Sequence, residues 1–82
     1  MRRVIELRKQ ARNLDPIIRI GKNGLTEGVL NQIKLALEKR KLIKIKFLKS
    51  YEESVDDAAT KIASELHCTL IDKIGKVVVL AK

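Results

Sequence analysis

The sequence predicts a single α/β domain with the element order α-β-α-β-α-β-β and a four-stranded mixed sheet. Apolar residues recur at helical spacing in three segments and alternate with polar residues at strand spacing in others. A length of 82 residues leaves room for one domain, 1–82, and hardly for a second. Hydrophobic residues make up 45% of the chain, which favours a packed core and excludes a disordered basic tail.

The first half of the chain is predicted to hold two helices and two strands. The first helix is amphipathic and ends at Asp15-Pro16, because the residue before a proline avoids the helical region. The second helix follows Thr26, a residue type that caps helix N-termini. The elements are a helix at 2–13, a strand at 17–20, a helix from Thr26 to about Arg40 and a strand at 42–48.

The second half is predicted to hold one helix and a strand pair. Ser54, Asp56 and Asp57 start the helix, since short polar and acidic side chains suit exposed N–H groups. Strands at Thr69–Ile74 and Val77–Leu80 follow, joined by a tight turn at Gly75-Lys76. We expect the first three strands, linked by helical crossovers, to run parallel and the last to pair antiparallel.

The charge of the chain is large and unevenly distributed. Lys and Arg number 18 against 10 Asp and Glu, a formal net charge of +8. Residues 1–49 carry a net charge of +10, whereas residues 50–82 carry −2. Such segregation predicts a surface that meets a polyanion.

Cysteine content and hydropathy narrow the classes of protein further. A single cysteine excludes an intrachain disulfide framework and favours a reducing compartment, so we expect a cytoplasmic protein. No apolar run approaches the roughly 18–20 residues that span a bilayer. Residues 1–3 are basic but no long apolar stretch follows them, so we expect no secretory signal.

Enzyme signatures are scarce. His67 and Cys68 are neighbours in sequence, so they point apart in a strand and are too few for a closed zinc site; a helix-to-strand junction explains them better. Acid–base catalysis could use the paired carboxylates Glu52-Glu53 and Asp56-Asp57, but helix capping explains them without catalysis, because they lie at a predicted helix start. We therefore expect no catalysis, no metal and no cofactor.

Basic side chains on predicted strands and helices are the candidates for polyanion binding. Alternation places Lys44 and Lys46 opposite an apolar strand face, and Arg19 points the same way from the first strand. Arg8 and Arg12 share one face of the first helix. Singly, each is explained by solvated surface; together they predict a binding face.

The aromatic content is low. Phe47 lies on an apolar strand face and is predicted to be core. Only Tyr51 could stack on a base, and otherwise it is a residue at the rim of the core. A sheet that stacks bases uses two or three exposed rings, so we expect phosphate contact to outweigh stacking.

A G-x-x-G loop is the most specific local feature. Gly21, Lys22, Asn23 and Gly24 lie between a strand and a helix N-terminus, inside the basic half. Glycines allow a phosphate backbone to approach, and unpaired helix N–H groups favour an anion. A lone G-x-x-G is often only a tight turn. The functional interpretation therefore depends on the position of this loop between a strand and a helix.

These residues resemble the CRM domain (chloroplast RNA splicing and ribosome maturation) in its free-standing, YhbY-type form. The resemblance spans nearly the whole chain, and the I-G-K-x-G-L-T block is its most specific part. It implies a fold similar to the C-terminal domain of bacterial translation initiation factor three, and RNA contact by Gly21, Lys22, Asn23 and Gly24. The segments that carry it are Leu7-Arg8, 16–26, 42–46 and 75–80.

The resemblance also implies association with precursors of the large ribosomal subunit. Lys41 and the ending Leu80-Ala81-Lys82 depart from the family pattern, and the second removes an aromatic residue. The leading expectation is a non-enzymatic protein that binds structured RNA in ribosome assembly. Two alternatives stay open: a dimeric Alba-like chromatin protein that coats DNA non-specifically, and a subunit that binds an acidic protein.

Overall fold

A computed structural model describes residues 2–82 of the chain. Its elements follow the predicted order. The helices are α1 (Arg2–Ala11), α2 (Glu27–Arg40) and α3 (Val55–Leu66), and the strands are β1 (Ile18–Ile20), β2 (Leu42–Phe47), β3 (Thr69–Ile74) and β4 (Val77–Ala81). No helix within residues 2–82 is long and apolar enough to cross a membrane.

The four strands form one mixed sheet in the order β1-β2-β4-β3. β1 pairs parallel with β2, and β4 pairs antiparallel with both β2 and β3. β1, β2 and β3 therefore run in one direction, as predicted. The spatial order, with β4 inserted between β2 and β3, was not predicted, because local sequence patterns do not encode which strands become neighbours.

Two hydrophobic clusters cover the two faces of the sheet. The larger packs α2 and α3 against the face that carries Ile43, Ile45 and Phe47, all at most 1% exposed. The smaller packs α1 against the other face, around Leu42 and Val79. Alternation along β2 produces both, because successive side chains point to opposite faces.

α1 covers only part of its face. The apolar residues of its cluster lie where β2 begins and β4 ends. At the opposite end of that face, Lys46 of β2 and Arg19 of β1 are exposed. Ile74 of β3 is 63% exposed there, beside the half-buried Val77. This end of the sheet is left free of any helix on the α1 side.

The helix ends are set by side-chain caps and left-handed residues. The Thr26 hydroxyl accepts from the Val29 N–H at 3.2 Å, and the Ser54 hydroxyl accepts from the Asp57 N–H at 3.2 Å. At the C-termini of α2 and α3, Lys41 and His67 take left-handed backbone conformations. Both predicted caps are confirmed.

α1 ends earlier than the sequence predicts. Its last residue is Ala11 rather than residue 13, and a tight turn follows in which Arg12, Asn13 and Leu14 each donate to the carbonyl three residues before. These shorter bonds tighten the helix end and carry the chain toward the proline. Helix ends commonly fray in this way, so the pattern of apolar residues locates them only to within a turn.

Candidate nucleic-acid interface

One end of the sheet gathers three connections. β1 and β2 are parallel, so the loops that follow them leave at the same end, and the β3–β4 turn lies there as well. The Leu48 N–H donates to the Ile20 carbonyl at 2.8 Å, and the Phe47 N–H donates to the Lys76 carbonyl at 2.7 Å. The Gly21–Gly24 loop, called the GKNG loop below, therefore lies beside the β2–α3 connection.

Among residues 2–82, five exposed cations lie in the strands and connections at this end. Arg19 and Lys46 are register partners on adjacent strands, and both project from the α1 side of the sheet. The others lie in the connections that leave this end of the sheet. The set, called the basic end, consists of Arg19, Lys22, Lys46, Lys49 and Lys76.

Lys49 and Lys76 were missed in the sequence analysis. Neither belongs to an amphipathic pattern, because both lie in turns. The signal that could have found them is topological: residues just after a parallel strand, and those in a hairpin between antiparallel neighbours, collect at sheet ends. That inference requires the strand order, which the local patterns do not supply.

The GKNG loop is a tight turn with its tip toward solvent. The Gly24 N–H donates to the Gly21 carbonyl at 3.0 Å, which leaves Lys22 and Asn23 exposed at the tip. Gly24 has a φ of +70°, a left-handed conformation that favours glycine. Within residues 2–82, the backbone N–H groups of Lys22 and Asn23 donate to no protein acceptor and are free to meet an anion.

The start of α2 adds further N–H donors next to the loop. The Val29 N–H is taken by the Thr26 cap, whereas in the described part of the chain the N–H groups of Glu27 and Gly28 have no protein acceptor. Such groups at a helix N-terminus attract anions. The Glu27 carboxylate is in the same turn, so it competes with a bound phosphate for this positive potential.

Gly21 serves packing rather than an unusual backbone angle. It is not among the residues with positive φ. A Cβ added there would lie 2.9 Å from the Ser50 Oγ, so the loop and the β2–α3 connection approach closely. Close packing thus favours glycine at position 21, whereas the backbone angle favours it at position 24. The expected left-handed geometry is confirmed at Gly24 only.

The other predicted cations are placed apart from the basic end. Arg8 donates through Nε to the Ile71 carbonyl at 3.1 Å and lies 3.9 Å from an Asp72 carboxylate oxygen, so it joins α1 to β3. Lys44 is half-buried and donates through Nζ to the Leu14 carbonyl at 3.1 Å. Arg12 is exposed just beyond the end of α1. The structure unites only Arg19, Lys46 and the GKNG loop among the predicted set.

Tyr51 is not the rim or stacking residue that the sequence analysis expected. Its side chain is 8% exposed and belongs to the core cluster under α2 and α3. Its ring lies 4.7 Å from that of Phe47, at an interplanar angle of 54°. The β2–α3 connection folds back over the sheet end, which buries a ring that the polar sequence around it suggested was exposed.

His67 and Cys68 form the expected helix-to-strand junction. His67 is exposed in its left-handed cap position, and its backbone N–H donates to the Ala63 carbonyl. Cys68 is half-buried, and this burial raises the pKa of its thiol, so the thiol stays protonated near neutral pH. Residues 2–82 contain no cluster of three or more His, Cys, Asp or Glu that could hold a metal ion.

Comparison with known proteins agrees with this architecture. The CRS1 / YhbY (CRM) domain model matches residues 2–82. A Bacillus subtilis (strain 168) protein described as a probable RNA-binding protein, YqeI, is 38% identical over 76 residues, which are 93% of this chain and 79% of that protein. A Haemophilus influenzae RNA-binding protein is 36% identical over 74 residues, 90% of this chain and 75% of its own.

A solved structure is similar over almost the whole chain. The solution structure of a hypothetical Staphylococcus aureus protein, described as a candidate RNA-binding protein, aligns with a TM-score of 0.83 and 32% sequence identity. The alignment covers 99% of this chain and 84% of that one. The predicted fold class, three helices on a four-stranded mixed sheet, is thereby confirmed.

Proposed function

Because this chain belongs to the CRS1 / YhbY (CRM) domain family, we propose that it binds RNA through the basic end and the GKNG loop. The observation that carries the proposal is the convergence of Arg19, Lys46 and the loop at one helix-free end of the sheet. The description of two relatives as RNA-binding proteins supports the choice of RNA as the polyanion.

Phosphate contact dominates the proposed binding. Lys22 and the free N–H groups of the loop meet one phosphate, and Arg19 and Lys46 extend the positive track along the strands. With no exposed Phe, Tyr or Trp ring among residues 2–82, stacking contributes little. Binding of this kind follows the shape of structured RNA and falls steeply with salt.

The role we propose is non-enzymatic and cytoplasmic. The chain acts on RNA by holding it, in the assembly of the large ribosomal subunit, with precursor ribosomal RNA as the partner. Crosslinking in cells followed by sequencing of the bound RNA tests this role. Enrichment of large-subunit ribosomal RNA supports it, and a random pool of genomic DNA would favour the Alba-like alternative instead.

A charge-matched pair of variants tests the binding surface. R19Q/K46Q removes two cations from the basic end, whereas K34Q/K39Q removes two exposed cations from α2. We expect the first to weaken binding of a stem-loop RNA several-fold and to reduce the salt slope by one to two units, as about 0.9 per lost phosphate contact implies. Equal losses in the two variants would contradict the assigned surface.

Duplex DNA serves as the competitor in the same assay. An A-form or folded RNA presents a backbone different in shape from B-form DNA. We expect unlabelled structured RNA to displace the labelled RNA at lower concentration than duplex DNA of the same length. Equal displacement, together with an obligate dimer in solution, would overturn the RNA proposal in favour of a DNA-coating protein.

A further inference from the structure

One row of register partners crosses the whole sheet at its helix-free end. Arg19 of β1 is the partner of Lys46 of β2. Lys46 is also the partner of Val77 of β4, which pairs in turn with Ile74 of β3. Directly opposite residues project from the same face, here the α1 side, because Val79, two residues after Val77, packs under α1. These four residues, called the cross-sheet row below, are therefore half cationic and half aliphatic.

The aliphatic half of the row lies outside the core. Within residues 2–82, neither Val77 nor Ile74 belongs to a hydrophobic cluster. Ile74 is more exposed, at 63%, than any other large hydrophobic side chain of the described residues, and Val77 is half-buried. A single exposed aliphatic residue is ordinary, but these two are neighbours and share a face with two cations. A partner that covers them gains the free energy of apolar burial.

The surroundings of the two aliphatic residues indicate which partner covers them. The cations of the basic end lie beside them, so a second copy of this chain, which carries +8, is repelled. A stable protein interface buries about 800 Å² on each partner, far more than Ile74 and Val77 present. Two aliphatic side chains are enough to cover the face of one nucleobase, and the cations next to them attract the phosphates of its strand.

We propose that an unpaired nucleotide of the bound RNA lies along the cross-sheet row, with phosphates at Arg19 and Lys46 and the base against Val77 and Ile74. Three strand spacings of about 4.8 Å give the row a length of about 14 Å, which accommodates a sugar-phosphate backbone and a base side by side. Bulges and loops of structured RNA supply such nucleotides, because their bases are unpaired and can turn outward. Aliphatic side chains such as Ile and Leu contact base faces in several nucleic-acid-binding proteins.

This inference rests on the proposed function and assigns two further residues to the same surface. Phosphate contacts weaken as the salt concentration rises, because binding releases counterions from the RNA. Contact between a base and an aliphatic side chain releases none, so it adds affinity without changing the salt slope. The protein then prefers RNA with an unpaired nucleotide beside a stem over a fully paired duplex, without selecting a particular base.

Two hairpin RNAs test the inference with the full chain. Both have the same stem and a short single-stranded extension, which consists of uridines in one RNA and of abasic residues in the other. The two RNAs carry equal numbers of phosphates and differ only in the bases of the extension. We expect the abasic RNA to bind the wild-type protein about three- to fivefold more weakly, just below what stacking on an aromatic ring contributes.

A pair of variants assigns the discrimination to the row. I74T/V77T removes apolar surface, keeps the β-branched shape that suits a strand and changes no charge. L70T is the matched control, since Leu70 is 40% exposed on the same strand but pairs with Leu80, on the face that α2 and α3 cover. We expect the ratio of the two affinities to fall below about twofold in I74T/V77T, with the salt slope unchanged, and L70T to keep both values.

The outcomes separate this inference from the proposed function. If the wild-type protein binds neither hairpin, the proposed function fails. If it binds both equally, or if I74T/V77T keeps the full discrimination, the RNA proposal stands and the aliphatic contact is overturned. A wild-type dimer that I74T/V77T converts to a monomer would overturn it too, because a second copy would then cover the row. Circular dichroism reports folding, and I74T alone keeps the test decisive if Val77 proves necessary for the fold.

Discussion

Gly21 and Ser50 bring the GKNG loop and the β2–α3 connection into close approach. A Cβ at residue 21 would lie 2.9 Å from the Ser50 Oγ, whereas at Gly24 the nearest atom, the Tyr51 Cε1, would be 3.8 Å away. Space is therefore tight at the first glycine of the motif and adequate at the second. The backbone conformation has the opposite effect, because of these two glycines only Gly24 has a positive φ, which disfavours other residues.

We expect Gly24→Ala to lower the free energy of unfolding by about 1–2 kcal/mol, the cost of a left-handed conformation for an L-residue. Gly21→Ala should cost about 0.5 kcal/mol or less, because Ser50 is exposed and its hydroxyl rotates away. Urea denaturation of both variants measures the difference. A larger loss for Gly21→Ala would mean that packing, and not conformation, determines the motif.

The Glu27 carboxylate is predicted to oppose RNA binding. It lies in the first turn of α2, where free N–H groups and the neighbouring Lys22 attract phosphate. Glu27→Gln should raise the affinity for a stem-loop RNA about twofold at low salt and lower the free energy of unfolding by about 0.3–1 kcal/mol, since the carboxylate stabilises the helix dipole.

Glu38→Gln is the matched control for this prediction. It removes the same charge from the same helix, but in the C-terminal half, away from the loop. Fluorescence anisotropy with labelled RNA measures both variants. If Glu38→Gln raises the affinity as much as Glu27→Gln, the effect is one of net charge and the α2 N-terminus is not part of the interface.

Substitution by Gln is expected to weaken RNA binding at Arg19 and to lower stability at Arg8. Arg19→Gln should weaken RNA binding and reduce the salt slope by about one unit, with stability unchanged, because Arg19 is exposed on β1. Arg8→Gln should cost about 0.5–1.5 kcal/mol of stability, since its Nε donates to the Ile71 carbonyl, and change the slope little.

Paired measurements of unfolding and of the salt slope for each variant decide this point. The sequence predicted both arginines as RNA ligands. In the structure, Arg19 is exposed, whereas Arg8 donates to the Ile71 carbonyl, so we expect only Arg19 to contact RNA. A reduced slope in Arg8→Gln, as large as that in Arg19→Gln, would show that the RNA also reaches α1. Arg12 is exposed and its side chain has no partner within residues 2–82, so Arg12→Gln is then the next variant to measure.

Local patterns in the sequence predicted the elements but not their arrangement. The alternation along β2 correctly placed Ile43, Ile45 and Phe47 on one face and Lys46 on the other. The caps Thr26 and Ser54 were predictable because their hydrogen bonds span only three residues. Contacts between residues close in sequence follow from the sequence spacing alone, so they can be predicted.

The misplaced residues depend on contacts distant in sequence. Tyr51 is buried because its connection folds over the sheet end, and Lys44 is half-buried because Nζ donates to Leu14, 30 residues away. Arg8 bonds to a carbonyl 63 residues away. Glu53 and Asp57 are a further case, since their sequence positions are typical of a helix start and only the fold sets them opposite the GKNG loop.

The last prediction concerns the pH dependence of stability above neutral pH. Burial, followed by Glu53 and Asp57, raises the pKa of Tyr51 above its ordinary value of 10.0. The folded state therefore holds this proton more tightly than the unfolded state does. The associated stability is fully present below about pH 10 and is lost as the pH rises through the folded pKa.

Tyr51→Phe removes this titration and keeps the ring against Phe47. We expect the free energy of unfolding of the wild type to fall more than that of Tyr51→Phe between about pH 8 and about pH 10.5, while lysine deprotonation affects both alike. Urea denaturation at the two pH values measures the difference. Parallel curves would show that the hydroxyl is uncoupled from Glu53 and Asp57.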